Sequence, residues 1–347
     1  MDTIVSKRRR ELLLGIGAAA LAGCGRQGEV QPVYLQFGGS TMGSTYTVRL
    51  KAYETDGPAL RAAVQAALDA VDDRMSMFSS DSELSAFNRA RVGAAVRLSE
   101  PLYEVMATAD RVSRQSGGAF DVTVAPLVER WGFGTRRVRT VPAAADVSAD
   151  LSRVDWRCLD FNAAERAITK RAVGMRADLG GIAAGYGADR AAAALDARGV
   201  TNYMVDISGE VRLKGINAAG APWRIGIEEP DAWPQRARWV VPLSGRAIAT
   251  SGDYRNYFIE GGRRYSHEID PARGAPIDHG LASVSVVADT AIEADALATA
   301  LIVLGERRGR ALAEASGIAA QFIERQPGGG FADSMTTAFA ALRATRV

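Results

Sequence analysis

Asp295 and Thr299 stand four residues apart in Glu293-Ala294-Asp295-Ala296-Leu297-Ala298-Thr299, a run rich in the helix formers Ala and Leu. On a helix that spacing stacks both side chains on one face, with carboxylate and hydroxyl oxygens pointing the same way. Such a pair suits a hard, oxygen-seeking cation such as Mg2+, whose remaining positions are open to phosphate oxygens; a nucleotide substrate is the natural companion. The same spacing also fits a solvated Asp near a helix start and a Thr buried as a small residue. Upstream, Tyr265-Ser266-His267-Glu268-Ile269-Asp270-Pro271 holds His267, one of two histidines in the chain. An imidazole with an ordinary pKa of about 6.5 can exchange protons near neutral pH.

The chain that must position these groups has 347 residues, 47% of them hydrophobic, enough for one large core or two modest ones. Its net charge is +2, with no charged block beyond the N-terminus, so nucleic-acid binding is not expected. Neither Cys24 nor Cys158 belongs to a CxxC or Cys/His cluster, which argues against a zinc site or a disulfide framework.

The N-terminus reads as an address. Ser6-Lys7-Arg8-Arg9-Arg10 precedes the short apolar run from Leu12 to Leu21, and Leu21-Ala22-Gly23-Cys24 follows. The last block resembles a bacterial lipobox, and Arg9-Arg10-Glu11-Leu12-Leu13 resembles a twin-arginine export signal. The expectation is a signal peptide over 1–24, a lipid anchor at Cys24 on the periplasmic face of a bacterial membrane, and a tether over 25–32. Cys158, then unpaired in an oxidising compartment, is expected to be buried. A single domain is expected over 33–335.

Periodicity supplies the elements. Tyr46 to Lys51 alternates as a half-buried strand. Pro58 opens a helix with Leu60, Val64, Leu68 and Val71 on one face, and Ser79 to Leu84 caps a short second one. Ser99 with Pro101 starts a third, stopped by Gly117-Gly118. Arg136 to Asp150 reads as a polar, Ala-rich connector, and Ala167 to Lys170 as a strand. A helix is expected from Ala188 to Arg198, then short strands at 203–207, 211–216, 223–227, 239–243, 247–250 and 257–259. The helix bearing Asp295, a helix over 306–316 and a strand over 320–324 complete an α+β architecture of mostly antiparallel strands with segregated helices.

Two glycine-rich stretches admit either close ligand approach or plain packing. Gly38 to Thr45 serves turn chemistry equally well. Asp178 to Tyr186 leads into a helix, where N–H groups can face an anion or glycines can let helices pack. Its spacing matches neither GxGxxG nor GxxxxGKT, so neither a Rossmann nor a P-loop reading is supported.

Five blocks in order resemble the ApbE-type FAD:protein FMN transferases. They are Thr41-Met42-Gly43-Ser44-Thr45-Tyr46, Met77-Phe78 through Asp81-Ser82-Glu83-Leu84, Gly118-Ala119-Phe120-Asp121, Asp178 through Tyr186, and Ala249 to Gly305 with its TSGDY, YSHEIDP and ADALATAL segments. The similarity covers about residues 33–325, and a lipoprotein signal suits the family. The resemblance implies an enzyme that cleaves the FAD pyrophosphate with Mg2+, moves FMN onto a Ser or Thr hydroxyl of an acceptor protein and releases AMP. It implies that Met42, Phe78, Ala119, Phe120, Asp121, Asp178, Ala184 and Ile269 surround FAD. Asp295, Thr299 and the Gly181 carbonyl would hold Mg2+, and His267 would sit beside the reacting phosphate. His267 is then either the base for the acceptor hydroxyl or an orienter of substrate or of Asp270; Asp121, Asp253 and Asp270 are the fallback bases.

The implied acceptor is a flavoprotein subunit of a membrane redox complex. Two alternatives share the site: an FAD pyrophosphatase giving FMN and AMP, and a non-catalytic FAD-binding lipoprotein. The chain departs from the family pattern twice. Asp206-Ile207-Ser208-Gly209-Glu210 stands where members usually have Asn and paired glycines followed by Asp, and Ala184 stands where many have Lys.

Overall fold

The computed structural model describes residues 31–135 and 138–347; the expected signal peptide, Cys24 and most of the tether lie outside the described residues. Strand β1 (Val33–Thr41) and strand β2 (Ser44–Ala52) pair along their whole length around the turn Met42-Gly43. Both turn residues have positive φ, 46° and 72°, as a two-residue hairpin turn demands. The first glycine-rich stretch is therefore mostly strand. A Cβ on Gly38 would meet the Tyr46 carbonyl oxygen at 2.5 Å, so close strand packing explains that residue.

Helix α1 (Gly57–Met75) buries Leu60, Val64, Leu68 and Val71, the stripe read from the sequence. The Ser82 hydroxyl caps α2 (Glu83–Arg89) by accepting the Ser85 N–H. After β3 (Ala95–Arg97), α3 (Glu100–Ser116) starts at Ser99 and ends on Gly117 at φ 62°. Two short helices follow, α4 (Ala125–Arg130) and α5 (Ala144–Leu151). The latter lies within the stretch expected to be a connector; one short face of Val147 and Leu151 packed beside Leu127 and Trp131 is too little to show as a period.

Strands β4 (Leu159–Asn162) and β5 (Ala167–Lys170) join β3 in a small sheet. Cys158, expected to be buried, is half-buried just before β4. Helix α6 (Ala183–Asp196) begins at Ala183 instead of Ala188, which brings Ala184 and Gly185 into its first turn.

The second half alternates strands: β6 (Tyr203–Ile207), β7 (Glu210–Lys214), β8 (Trp223–Glu228), β9 (Ala237–Leu243), β10 (Ala247–Gly252), β11 (Tyr257–Glu260), β12 (Arg263–Ser266), β13 (Ile269–Asp270), β14 (Ala275–Pro276) and β15 (Leu281–Ala288). Helix α7 (Ala291–Ala315) is broken by Gly305 at φ 77°, so it acts as the two helices read from the sequence. Strands β16 (Ala319–Arg325) and β17 (Phe331–Met335), helix α8 (Thr337–Ala340) and strand β18 (Thr345–Arg346) end the chain.

The main sheet has the order β1-β2-β6-β7-β10-β15-β16-β17, and every neighbouring pair is antiparallel. Helices α1, α6 and α7 pack on one face, with α3 against α7. The other face is covered by β8-β9-β18 and Phe339 of α8. Residues 32–347 form one unit, and the α+β expectation agrees with this architecture.

Helices α6 and α7 start side by side and cap each other. Asp189 of α6 accepts the N–H groups of Ala291 and Ile292, at 3.0 and 2.9 Å, at the start of α7. Asp295 of α7 accepts the Gly185 N–H at 2.9 Å in the first turn of α6. Gly185 permits this contact: a Cβ there would lie 2.3 Å from the Ala291 carbonyl oxygen. Asp189→Ala should lower the unfolding free energy by about 1–2 kcal/mol, the usual cost of a lost cap. Asp189→Asn should recover part of that in chemical denaturation, and no change in either variant would remove the capping from the stability argument.

Candidate active site

The start of α7 carries the proposed ligand face. Asp295 is 6% exposed, and among the described residues its carboxyl has one hydrogen-bond donor, the Gly185 N–H on Oδ2. One turn on, Thr299 is half-buried, with its Oγ1 3.2 Å from Ser251 Oγ on β10. Gly181 faces the same hydroxyl: a Cβ built on it would fall 2.9 Å from Thr299 Oγ1 and 3.3 Å from the Phe120 ring. Gly181, Thr299 and Phe120 therefore meet at one place, and only a glycine leaves that space open.

The remaining residues expected around the flavin divide into three groups. Ala119, Phe120 and Asp121 follow α3 and are tied to the Asp178 segment by the Asp178 N–H, which donates to the Val122 carbonyl at 2.7 Å. Asp121 is buried and accepts from the Thr123 N–H and hydroxyl and from the Trp156 N–H. Asp178 receives the Gly180 N–H at 2.8 Å, which shapes the loop entering α6. Met42 and Ala184 pack from the sheet and α6; a Cβ on Gly187, in the next part of α6, would meet Met42 Cε at 2.8 Å. Phe78 stands 61% exposed, while Ile269 is buried beside Leu127 and Trp131 in a separate apolar cluster.

His267 lies in a bend between β12 and β13. Its backbone N–H donates to the Asn256 carbonyl at 3.0 Å, which closes the base of the β11–β12 hairpin. The ring meets Phe133 edge-on at 6.3 Å, and Phe133 continues into a chain of aromatic contacts through Phe258, Tyr265 and Trp131. Nδ1 is buried without a partner. Burial, with the Arg139 charge acting the same way, holds the imidazole below its ordinary range, while the Asn256 carbonyl and Asp253 act to raise it. The ring is therefore neutral, and a proton acceptor, at pH 7.

Two buried acids, Asp295 and Glu268, and the half-buried Glu210 belong to this arrangement, and the sequence did not name the two glutamates as site residues. Burial raises Asp295 to about 7 against the opposing Gly185 N–H, and the charge of Glu268 raises it further. Burial raises Glu268 to about 8, with Asp253 adding to the effect. Glu210, at the start of β7, is raised well above the carboxylate range by burial and by Asp295. Ser251 and Gly185 lie in blocks read from the sequence, but their contacts appear only in three dimensions. The signal for Glu268 was its place beside His267; that for Glu210 was its place in the departure from the family pattern.

The sign of the pH effect follows from Glu268. Its folded pKa of about 8 exceeds the ordinary 4.5, so the folded state holds the proton more tightly across that window. The group's contribution is most favourable below about pH 4.5 and is lost as pH rises through 8. Metal-free protein should melt at a lower temperature at pH 8.5 than at pH 6, and Glu268→Gln should flatten that slope. An equal slope in the variant would assign the effect to other groups.

Comparison with known proteins bears on this arrangement. Residues 42–322 match the ApbE family. The FAD:protein FMN transferase of Haemophilus influenzae is 38% identical, with 97% of this chain and 99% of that relative aligned. The Vibrio cholerae protein of the same name is 39% identical over 89% of this chain and 92% of the relative. The apo form of the Pseudomonas stutzeri flavinyl transferase ApbE superposes with a TM-score of 0.81 at 41% identity, covering 90% of this chain and 97% of that one. With the family pattern running from the Met42 turn to β16 and the backbone superposing over nine-tenths of its length, this chain belongs to the ApbE family.

Proposed function

We propose that this chain is an FAD:protein FMN transferase that moves FMN from FAD onto a Ser or Thr hydroxyl of an acceptor protein, with Mg2+, and releases AMP. The observation that supports this reading is the approach of Gly181 to the Thr299 hydroxyl, one turn beyond the buried Asp295 on α7. It comprises a buried carboxylate with a single protein donor, a hydroxyl one turn away, and a backbone position where a Cβ would fill the gap. That donor set fits Mg2+: all oxygen, few protein ligands, and space left for phosphate. Asp295, Thr299 and the Gly181 carbonyl would hold the ion. When bound, Mg2+ neutralises charge on the phosphate oxygens and favours departure of AMP.

The chain's own residues bind, orient and accept a proton. Ala119, Phe120, Asp121, Asp178 and Ala184 would hold FAD along the approach to α6. Met42, Phe78 and Ile269 complete the surroundings of FAD. His267, kept neutral by burial, takes the hydroxyl proton as the acceptor oxygen attacks phosphorus. Little other covalent help is needed, because such transfers depend mainly on positioning and charge.

The Leu21-Ala22-Gly23-Cys24 block supports export and lipidation at Cys24, which would hold the enzyme at the periplasmic face of a membrane. An acceptor that is a subunit of a membrane redox complex fits that address.

Incubation with FAD, Mg2+ and candidate acceptors, read as covalent flavin fluorescence on a denaturing gel, tests the activity; free FMN alone would mean hydrolysis, and intact FAD a binding protein. Asp295→Ala should abolish Mg2+-dependent turnover, and Thr299→Ala should be rescued in part by excess Mg2+. Because Asp295 must lose its proton to bind a cation, the half-saturating Mg2+ concentration should fall as pH rises through about 7 and then level off. His267→Ala should cut transfer about 10²-fold or more while FAD affinity stays within a few-fold. Full activity after thorough chelation would sink the metal assignment. Separately, Cys24→Ser should release the protein from the membrane fraction, and an unprocessed chain starting at Met1 would contradict the anchor.

A further inference from the structure

The acids of the two chemical blocks are nearly all committed to the protein itself. Asp121 accepts three hydrogen bonds. Asp253 is clasped by Arg325, with both guanidinium nitrogens at 2.7 Å. Asp270 accepts the Ala272 N–H at 2.9 Å and so shapes its own turn. Both carboxyl oxygens of Asp121 and Asp253 are thus engaged, and one of Asp270's is. Glu268 differs: it is 7% exposed, and among the described residues its carboxyl has no hydrogen-bond partner.

The imidazole of His267 lies beside it. In a strand, consecutive side chains point to opposite faces. The bend at His267 cancels that alternation and brings Glu268 Oε1 to 3.8 Å from His267 Nε2. This gap is too long for a direct hydrogen bond, yet an oxygen atom about 2.8 Å from each group would fit between them, subtending about 85°. A hydroxyl can satisfy both sides, since it carries one donor and two acceptor positions. Nδ1 is sealed in the protein, which leaves Nε2 as the nitrogen able to meet a substrate. The exposed 37% of the His267 side chain and 9% of the Glu268 side chain give that substrate its approach.

We propose that Glu268 is a second catalytic residue, whose carboxyl O–H donates to the acceptor's Ser or Thr oxygen while His267 Nε2 accepts that hydroxyl's proton. The proposal rests on the transferase reading. In the step itself, the acceptor O–H bond breaks and its proton passes to Nε2. The oxygen forms a bond to the FMN phosphorus, and the bond from phosphorus to the AMP oxygen breaks, AMP keeping the electron pair. Glu268 retains its proton and remains hydrogen-bonded to what has become the ester oxygen.

The surroundings favour a protonated donor. Burial acts on Glu268 first, and the negative charge of Asp253, between β10 and β11, adds to it. The nearby Arg325 is already spent on Asp253 and Asp231. A buried carboxyl so placed keeps its proton near neutral pH.

The test compares Glu268→Leu with Glu268→Gln, whose amide can donate in place of the acid. In Glu268→Leu, kcat/KM for the acceptor should fall at least about 10-fold, the lower end for losing a positioned proton-handling group. FAD affinity, measured without acceptor, should stay within a few-fold. Glu268→Gln should return to within a few-fold of wild type. Neither variant should melt below wild type at pH 7, because each relieves an unpaired buried acid. Wild-type transfer by Glu268→Leu, equal loss in both variants, or losses that follow FAD affinity would each overturn the proposal. Absence of flavin transfer by the wild-type enzyme would instead count against the transferase reading.

Discussion

The mutual capping of α6 and α7 is the interaction on which the site depends. Each helix start leaves N–H groups without helical partners, and each is answered by an acid on the other helix: Asp189 for α7, Asp295 for α6. The exchange works only at close approach, which Gly185 provides against the Ala291 carbonyl. A buried carboxylate is costly unless something positive faces it, and the α6 start supplies that. The same contact that stabilises the helix pair therefore fixes where Asp295 points. One carboxyl oxygen is used structurally, and the other has no hydrogen-bond donor among the described residues.

His267 is positioned by different means. It sits at the root of the β11–β12 hairpin, outside the main sheet, where side-chain packing replaces the support of neighbouring strands. Tyr265 and Phe258 stack at 5.1 Å, Trp131 stacks on Tyr265 at 5.5 Å, and Phe133 bridges from Phe258 to the imidazole. Trp131 is anchored in turn by its ring N–H on the Gly274 carbonyl at 2.9 Å. Arg139 adds a clasp across the hairpin root, reaching the Asn256 side chain and the Tyr257 carbonyl. An aromatic wedge between α4 and the hairpin thus gives the ring its orientation.

Much of this was legible in the sequence, and the gaps have physical reasons. Helices α1 and α3 declared themselves by stripe and cap, and Asp295 and Thr299 by their i, i+4 spacing. Strand β15 carried no mark, because seven of its eight residues are buried and no inside-outside alternation separates it from any short apolar run. The Gly181–Thr299–Phe120 meeting point joins three segments far apart in sequence, so Gly181 and Phe120 were nameable only through resemblance. The function of Gly185 was open between anion binding and helix packing. It does both kinds of work, since its missing Cβ admits α7 and its N–H holds Asp295.

The departure at Asp206 to Glu210 shows how the fold absorbs a change in the family pattern. Ser208 and Gly209 form the two-residue turn between β6 and β7, with φ of 59° and 114°. Glycine would meet both angles freely, whereas a serine in the left-handed region costs about 1–2 kcal/mol. Two contacts hold it there: Asp206 accepts the Gly209 N–H at 3.0 Å, and the Ser208 hydroxyl bonds that of Ser44 beside the Met42 turn. The strained turn is thereby tied to the hairpin that carries Met42, and it sets Glu210 at the head of β7 within the field of Asp295.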